Sequence, residues 1–225
     1  MKLRELFNNE VLDEMSMLIG PVSDSKLYDP VSNHTIYKTY KSKADIIGKL
    51  NNNITLYYCT RGGRNAYMAV YSEGKPNDEQ IAYLMEYSRD TNPPIGPHAV
   101  QKWLWTNPKY RNLIGDLPTK IFFELIDDYH TVTADLEQTP AGRDFWMRKI
   151  KQAFGRGLNV YYVDFEKNDL IQLRTPADMN RINFTHGVWT PAESSLDKVF
   201  AISTKKLTKP KFAPTKPANP LGIKL

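Results

Sequence analysis

One cysteine, Cys59, stands alone in 225 residues. An intramolecular disulfide is therefore impossible, a cysteine-built zinc site is out of reach, and a reducing compartment is the natural setting. Histidine is nearly as scarce. His34, His98, His130 and His186 lie tens of residues apart, without the close pairing that a metal centre usually needs, so no metal is expected. Long apolar runs are missing too: nothing approaches the ~18 residues of a membrane-spanning helix, so no span is expected. Residues 1–15 (MKLRELFNNEVLDEM) carry acids and asparagine where a secretory leader needs an apolar centre, which argues against export by that route. No internal repeat is visible.

What is present suits a folded body with appendages. Hydrophobic residues make up 41% and aromatics 12%, enough for a sizeable core and too much for wholesale disorder. The formal charge of +5 invites a nucleic-acid reading, but its distribution argues otherwise. Lys205, Lys206, Lys209, Lys211, Lys216 and Lys224 lie in a final segment with no acid. Without those six of the 30 basic residues, 24 face 25 acidic ones. The basicity belongs to a tail and not to a binding face, so nucleic acid is not an expected partner.

That tail, residues 205–225, has Pro210, Pro214, Pro217 and Pro220 at close intervals, which favours extended backbone and forbids helix. It reads as a solvated segment or as an arm that orders on a partner. At the other end, Leu3, Leu6, Phe7, Val11, Leu12 and Met15 fall near helical spacing, giving an amphipathic helix within residues 1–20. Residues 20–35 are rich in Gly, Pro, Ser, Asp and Asn and read as a connector. The expected division is thus helix and connector over 1–35, a domain over 36–204, and the tail.

The domain alternates strands and helices. Residues 53–60 and 65–72 are β-branched and aromatic, and Arg61-Gly62-Gly63-Arg64 between them is a hairpin signal. Further strands are expected over 80–88 and 99–106. A helix follows with Ile121, Phe122, Leu125, Ile126 and Tyr129 on one side, capped by Asp116, with Pro118 in its first turn. After a short strand at 131–134, a second helix starts at Thr139-Pro140 and buries Phe145, Trp146, Ile150, Ala153 and Phe154 before ending at Gly155 and Gly157. Strands over 158–165 and 170–174 come next, and 198–204 reads as an edge strand. The order predicts a mixed α/β sheet, antiparallel first and with helical crossovers later. Trp103 and Trp105 should share one sheet face.

The stretch from Trp103 onward carries the chemistry. A strand ends at Asn107-Pro108, and a short loop leads into the helix capped by Asp116. Strand, loop and helix N-terminus can bind phosphate, because free N–H groups and the helix dipole converge on the loop, with Arg111 placed to add charge-assisted bonds. The same residues also describe an ordinary helix start.

Residues 105–125 (WTNPKYRNLIGDLPTKIFFEL) resemble the acetyl-CoA-binding strand–loop–helix of the GNAT superfamily of N-acetyltransferases. There an aromatic–Arg/Gln–Asn/Gly lead is followed by Gly-x-Gly or Gly-x-Ala. Residues 131–165 (TVTADLEQTPAGRDFWMRKIKQAFGRGLNVYYVDF) are similar to the later half of members encoded by bacteriophages, and the resemblance covers residues 50–204. It implies a GNAT-like mixed sheet with β-α-β-α-β crossovers, and acetyl-CoA held around Thr106, Arg111, Asn112, Leu113, Ile114 and Gly115. Acetyl transfer would be direct, with Asp135 or Glu137 as base and Tyr161 or Tyr162 as the acid for the leaving thiolate. The chain departs from the motif at Ile114, where the first glycine is expected, and at Asp116, where Gly or Ala stands. Pro118 also removes a donor. Two functions follow as expectations. One is an acyl-CoA-dependent N-acyltransferase acting on an amine of a host or phage molecule. The other is a catalytically silent GNAT-like fold, a binding or virion-associated protein docked through residues 1–20 and 205–225. Host cytoplasm or virion is the location either implies.

Overall fold

The computed structural model describes residues 24–135, 140–186, 188 and 197–208. The amphipathic helix expected within 1–20, most of the tail, and the Thr139 cap lie outside the described residues.

Residues 24–41, expected to fall largely in a connector, form two helices, α1 (Asp24–Tyr28) and α2 (Pro30–Lys41). The Asp29-Pro30 pair that looked like loop chemistry is a helix start. The Asp29 carboxylate accepts from Ser32 N–H at 2.8 Å; the Ser32 hydroxyl first, and then this N–H, hold its pKa below the ordinary value, and Pro30 occupies the first helical position. Buried Asn33 then pins α2 to the sheet. Its amide donates to the carbonyls of Leu27 (2.8 Å) and Ile81 (3.2 Å), and its oxygen accepts from Ile81 N–H at 2.6 Å.

Nine strands and six helices follow the α/β expectation among the described residues. An antiparallel meander comes first: β1 (Ala44–Asn51), β2 (Ile54–Arg61), β3 (Arg64–Tyr71), β4 (Gln80–Asp90) and β5 (His98–Thr106). Gly62 (φ +55°) and Gly63 (φ +73°) form the two-residue turn between β2 and β3, both in the left-handed region such a turn demands. The one-turn α3 (Arg111–Ile114) and then α4 (Leu117–Tyr129) carry the chain across to β6 (Thr131–Thr133), which pairs with β5 in parallel. Next come α5 (Pro140–Gly155), β7 (Asn159–Asp164), β8 (Asp169–Leu173), α6 (Pro176–His186) and β9 (Lys198–Ser203). The sheet order is β1-β2-β3-β4-β5-β6-β9-β7-β8.

The edge-strand expectation for residues 198–204 is corrected. β9 runs between β6 and β7, antiparallel to both. Val199, Phe200, Ala201 and Ile202 are all buried, the unbroken apolar run of a strand covered on both faces.

Two apolar layers sandwich the sheet. On one side, Tyr37 of α2 packs in a cluster with Tyr57, Ile81, Leu84 and Trp105 of the sheet. On the other side, α4 and α5 bring Phe122, Ile126, Trp146 and Ile150 against Tyr83, Met85 and Ala99. Each fully buried large side chain contributes about 1.5–3 kcal/mol of transfer free energy. A β-bulge sorts β5 between the layers. Gln101 pairs with Tyr87 and Trp103 with Glu86, leaving Lys102 as the extra residue. Gln101 thereby reaches α5, whereas Trp103 and Trp105 share the α2 face as expected. Trp105 meets the Tyr28 ring edge-on at 5.6 Å. Among the described residues no helix is long and apolar enough to cross a membrane.

Candidate functional site

The parallel pairing of β5 with β6 is brief. Ala99 pairs with Val132 and Val100 with Thr133, after which β6 ends and β5 continues to Thr106. Among the described residues no strand accompanies that side of β5 beyond Val100. The two arms enclose a wedge.

Its contents are paired. Lys102, two residues past the last pair on one arm, faces Asp135, two residues past it on the other. The Lys102 ammonium lies 3.1 Å from Asp135 Oδ1, and the two side chains are 30% and 22% exposed. Deeper, the Trp146 indole N–H of α5 donates to Gln101 Oε1 at 2.7 Å, with both groups buried. The expected base Asp135 is thus at the wedge, held by a cation. The other expected base, Glu137, lies outside the described residues.

At the open end of β5, the expected phosphate loop is largely helical. Thr106, half-exposed, pairs with Tyr83 at the end of β5. Asn107 Oδ1 accepts from Lys109 N–H at 3.0 Å and opens a 3₁₀ turn, Pro108–Tyr110, that runs into α3. Arg111, Asn112 and Leu113 are exposed, and the Leu113 carbonyl accepts from Asn51 Nδ2 at 3.3 Å. Ile114 is 1% exposed and belongs to the core between α4 and the sheet. Gly115 has φ +53° and ψ −122°, a conformation that L side chains avoid. Asp116 precedes α4 without a side-chain cap bond and pairs with Lys120 at 3.1 Å. Among the first N–H groups of α4, Pro118 has none and Thr119 donates to the Asp116 carbonyl at 2.9 Å. Anion binding by this helix start falls to the Leu117 N–H and to side chains.

Side-chain cations are close at hand. Lys149 of α5 is buried and donates to Thr119 Oγ1 and to Gln152 Oε1, both neutral. Burial first, and then the charges of Arg148 and Arg156, push its ammonium down to about 8.

The two expected acids differ in their bonding. Tyr161 is buried, and its hydroxyl accepts from Leu207 N–H at 2.9 Å. Tyr162, equally buried, donates to Asp164 Oδ2 at 3.2 Å. Burial and then the negative charge of Asp164 drive its pKa up. Tyr162 also packs against the His186 ring at 4.8 Å.

Two clefts open elsewhere. One, of about 410 Å³, adjoins the turn after β5 and includes Tyr71, Tyr110, Asn107, Lys109 and Asp78. The Tyr71 and Tyr110 rings stack there at 4.5 Å. The other, of about 220 Å³, lies between α4 and the outer strands, with Ile47, Leu56 and Ile121 in its wall and Glu124 beside it. Burial, then Asp128 and Asp127, raise the Glu124 carboxyl. Among the described residues no group of three or more His, Cys, Asp or Glu side chains is arranged to hold a metal ion.

Sequence reasoning did not reach Lys102, Gln101 or Lys149. The first two depend on a bulge that no local pattern announces. Lys149 did leave a signal, because it lies four residues from both Phe145 and Ala153 on the buried stripe of α5. No family model matches the chain, and no curated protein or solved structure is significantly similar to it.

Proposed function

We propose that this chain is an acyl-CoA-dependent N-acyltransferase of the GNAT type, of bacteriophage origin, that transfers an acetyl group to an amine. The observation that carries this reading is the side of β5 beyond Val100, which no strand accompanies among the described residues. An extended, amide-bearing ligand such as the pantetheine arm of acetyl-CoA can add there as a strand, taking its hydrogen bonds from β5 backbone. The order of crossovers, β5-α4-β6-α5-β7, supports the same reading.

Within that reading each group has a task. A backbone N–H on the free side of β5 polarises the thioester carbonyl, and Asp135 removes the proton of the attacking amine. Of the two tyrosines, Tyr161 suits the acid role better, since Tyr162 gives its proton to Asp164. Arg111, exposed at the start of α3, attracts the cofactor phosphates with Lys109 beside it.

Calorimetric titration of the full-length protein with acetyl-CoA, and separately with CoA, tests the proposal. Micromolar affinity, about −8 kcal/mol, is expected. Arg111→Ala should weaken it several-fold, and an unchanged affinity would remove the loop from the cofactor site. Absence of heat at millimolar ligand would overturn the enzyme reading.

A second reading is favoured by the loop's departure from the motif, since Gly115 is its one glycine. With Ile114 committed to the core and Asp116 at the head of α4, the fold would serve as a binding or virion-associated protein docked through residues 1–20 and 205–225. Loss of partner binding on trimming either end, in a protein that ignores acetyl-CoA, is its expected signature.

A further inference from the structure

We propose that Lys102 is itself an acyl acceptor, so that the protein charged with acetyl-CoA acetylates its own wedge. The inference rests on the acyl-CoA reading above and names one amine that the reaction takes.

The amine bonded to the expected base belongs to the protein. Lys102 and Asp135 stand at matching positions on the two arms, each two residues beyond the last parallel pair, with 3.1 Å between ammonium and carboxylate. Lys102 is also the extra residue of the β4–β5 bulge, the point at which β5 changes the layer it faces. At 30% exposure the side chain is reachable without unfolding. Lys102 is the one lysine of β5, so a thioester laid along that side of the strand passes its amine and no other lysine of β5.

Two other lysines sharpen the contrast. Lys149 has its ammonium pushed down to about 8 by burial, but it is 4% exposed and tied to Thr119 and Gln152. Lys120 forms an ion pair with Asp116 of the same 3.1 Å length, yet on the open surface of α4, where the side chains are 65% and 68% exposed. Lys120 has the same local chemistry as Lys102 without the wedge.

The step balances. Asp135 takes one proton from the ammonium, and the freed nitrogen lone pair attacks the thioester carbon. The carbon–sulfur bond breaks as the amide forms. One of the three ammonium protons stays on the amide nitrogen, one ends on the CoA thiol, and one leaves through Asp135 to solvent. Acetylation removes the cation that faces Asp135, so the two arms lose the ion pair between them.

The test is to incubate the full-length protein with isotope-labelled acetyl-CoA and follow every lysine by peptide mass spectrometry. The expected result is label on Lys102 at a rate that saturates with acetyl-CoA and exceeds that of Lys120 by about a hundredfold. Asp135→Asn should slow it by a similar factor, and Lys102→Arg should remove the labelled peptide. If Asp135→Asn melts early, saturation and the Lys102-to-Lys120 ratio in the unaltered protein still decide the matter. Label on Lys102 that tracks Lys120 and rises linearly with acetyl-CoA, or label on Lys149 instead, overturns the inference. Calorimetric binding of acetyl-CoA with an added amine acetylated and Lys102 unlabelled overturns it while leaving the enzyme reading intact. No binding and no label overturns both.

Discussion

Lys149 carries a charge into the apolar layer between α4 and α5, and the cost can be read from its surroundings. Its ammonium lies 5.1 Å from the centre of the Phe145 ring and 5.9 Å from that of Phe123, and its two hydrogen-bond partners are neutral. Lowering from an ordinary 10.5 to about 8 corresponds to about 3 kcal/mol against the charged form in the folded protein. Lys149→Met keeps the stem and removes the charge. It also leaves Thr119 Oγ1 and Gln152 Oε1 without their donor, at about 0.5–1 kcal/mol each, since both sit where water reaches them. The variant should therefore be more stable at pH 7 by about 1–2 kcal/mol, a rise of about 2–8 °C in Tm. The pH dependence has a definite sign. Because the folded pKa is depressed, the unfolded chain binds more protons between pH 8 and 10.5, so wild-type stability gains on the variant across that window. Below pH 8 the penalty is fully present, and above 10.5 it has gone. Urea unfolding of both proteins at pH 7, 9 and 10.5 isolates Lys149, because every other titrating group is common to the pair. A stability difference that stays constant over this range, or a variant weaker than wild type at pH 7, would refute the reasoning by showing that the charge is compensated.

The remaining expectations concern the ends of the wedge. Gly115→Ala meets nothing within 4 Å, so its cost is conformational, about 1–3 kcal/mol for a side chain forced to φ +53°; a melting temperature equal to wild type would mean that the loop relaxes freely. Trp146→Phe removes the indole N–H and strands Gln101 Oε1 in a buried site, costing about 1–3 kcal/mol beyond the packing change. Adding Gln101→Leu should recover part of that loss, and a double-mutant cycle with no coupling would show that the hydrogen bond contributes nothing.

Much of the meander and both crossover helices were legible because their signals are local. Arg61-Gly62-Gly63-Arg64 between two aromatic runs leaves little choice but a hairpin, and the stripes led by Phe122 and Trp146 have helical period. Other elements hid behind misleading residues. Asp29-Pro30 reads equally as a turn or as a capped helix start, and only the contact of Asn33 with Ile81 selects the second. β1 carries Gly48 and two register shifts against β2, which blur its alternation. α6 buries only Met179 and Ile182, too thin a stripe to stand out. The placement of β9 could not be read at all, since strand order is a property of the sheet. The wedge has the same origin: Asp135 was visible as a carboxylate after a strand, but Lys102 lies 33 residues away and meets it only through the crossover. Ile114 is a different case: motif alignment placed it at the cofactor, and its side chain is buried in the core.

The central insertion of β9 has a consequence for how the chain is made. Thr131 of β6 and Ser203 of β9, hydroxyl to hydroxyl at 2.8 Å, are 72 residues apart, and β7 leaves the ribosome between them. Until β9 is made, β6 and the β7–β8 hairpin each lack the strand that pairs with both, which leaves a slot for one strand. Both sides of that slot are open ladders, and β6, three residues long, is held to β5 by two residue pairs. A copy of residues 198–203 from a neighbouring chain carries the same pairing residues as the chain's own strand. Crowded synthesis is therefore expected to raise the share of strand-swapped dimers, and slower expression at low temperature to lower it relative to monomer.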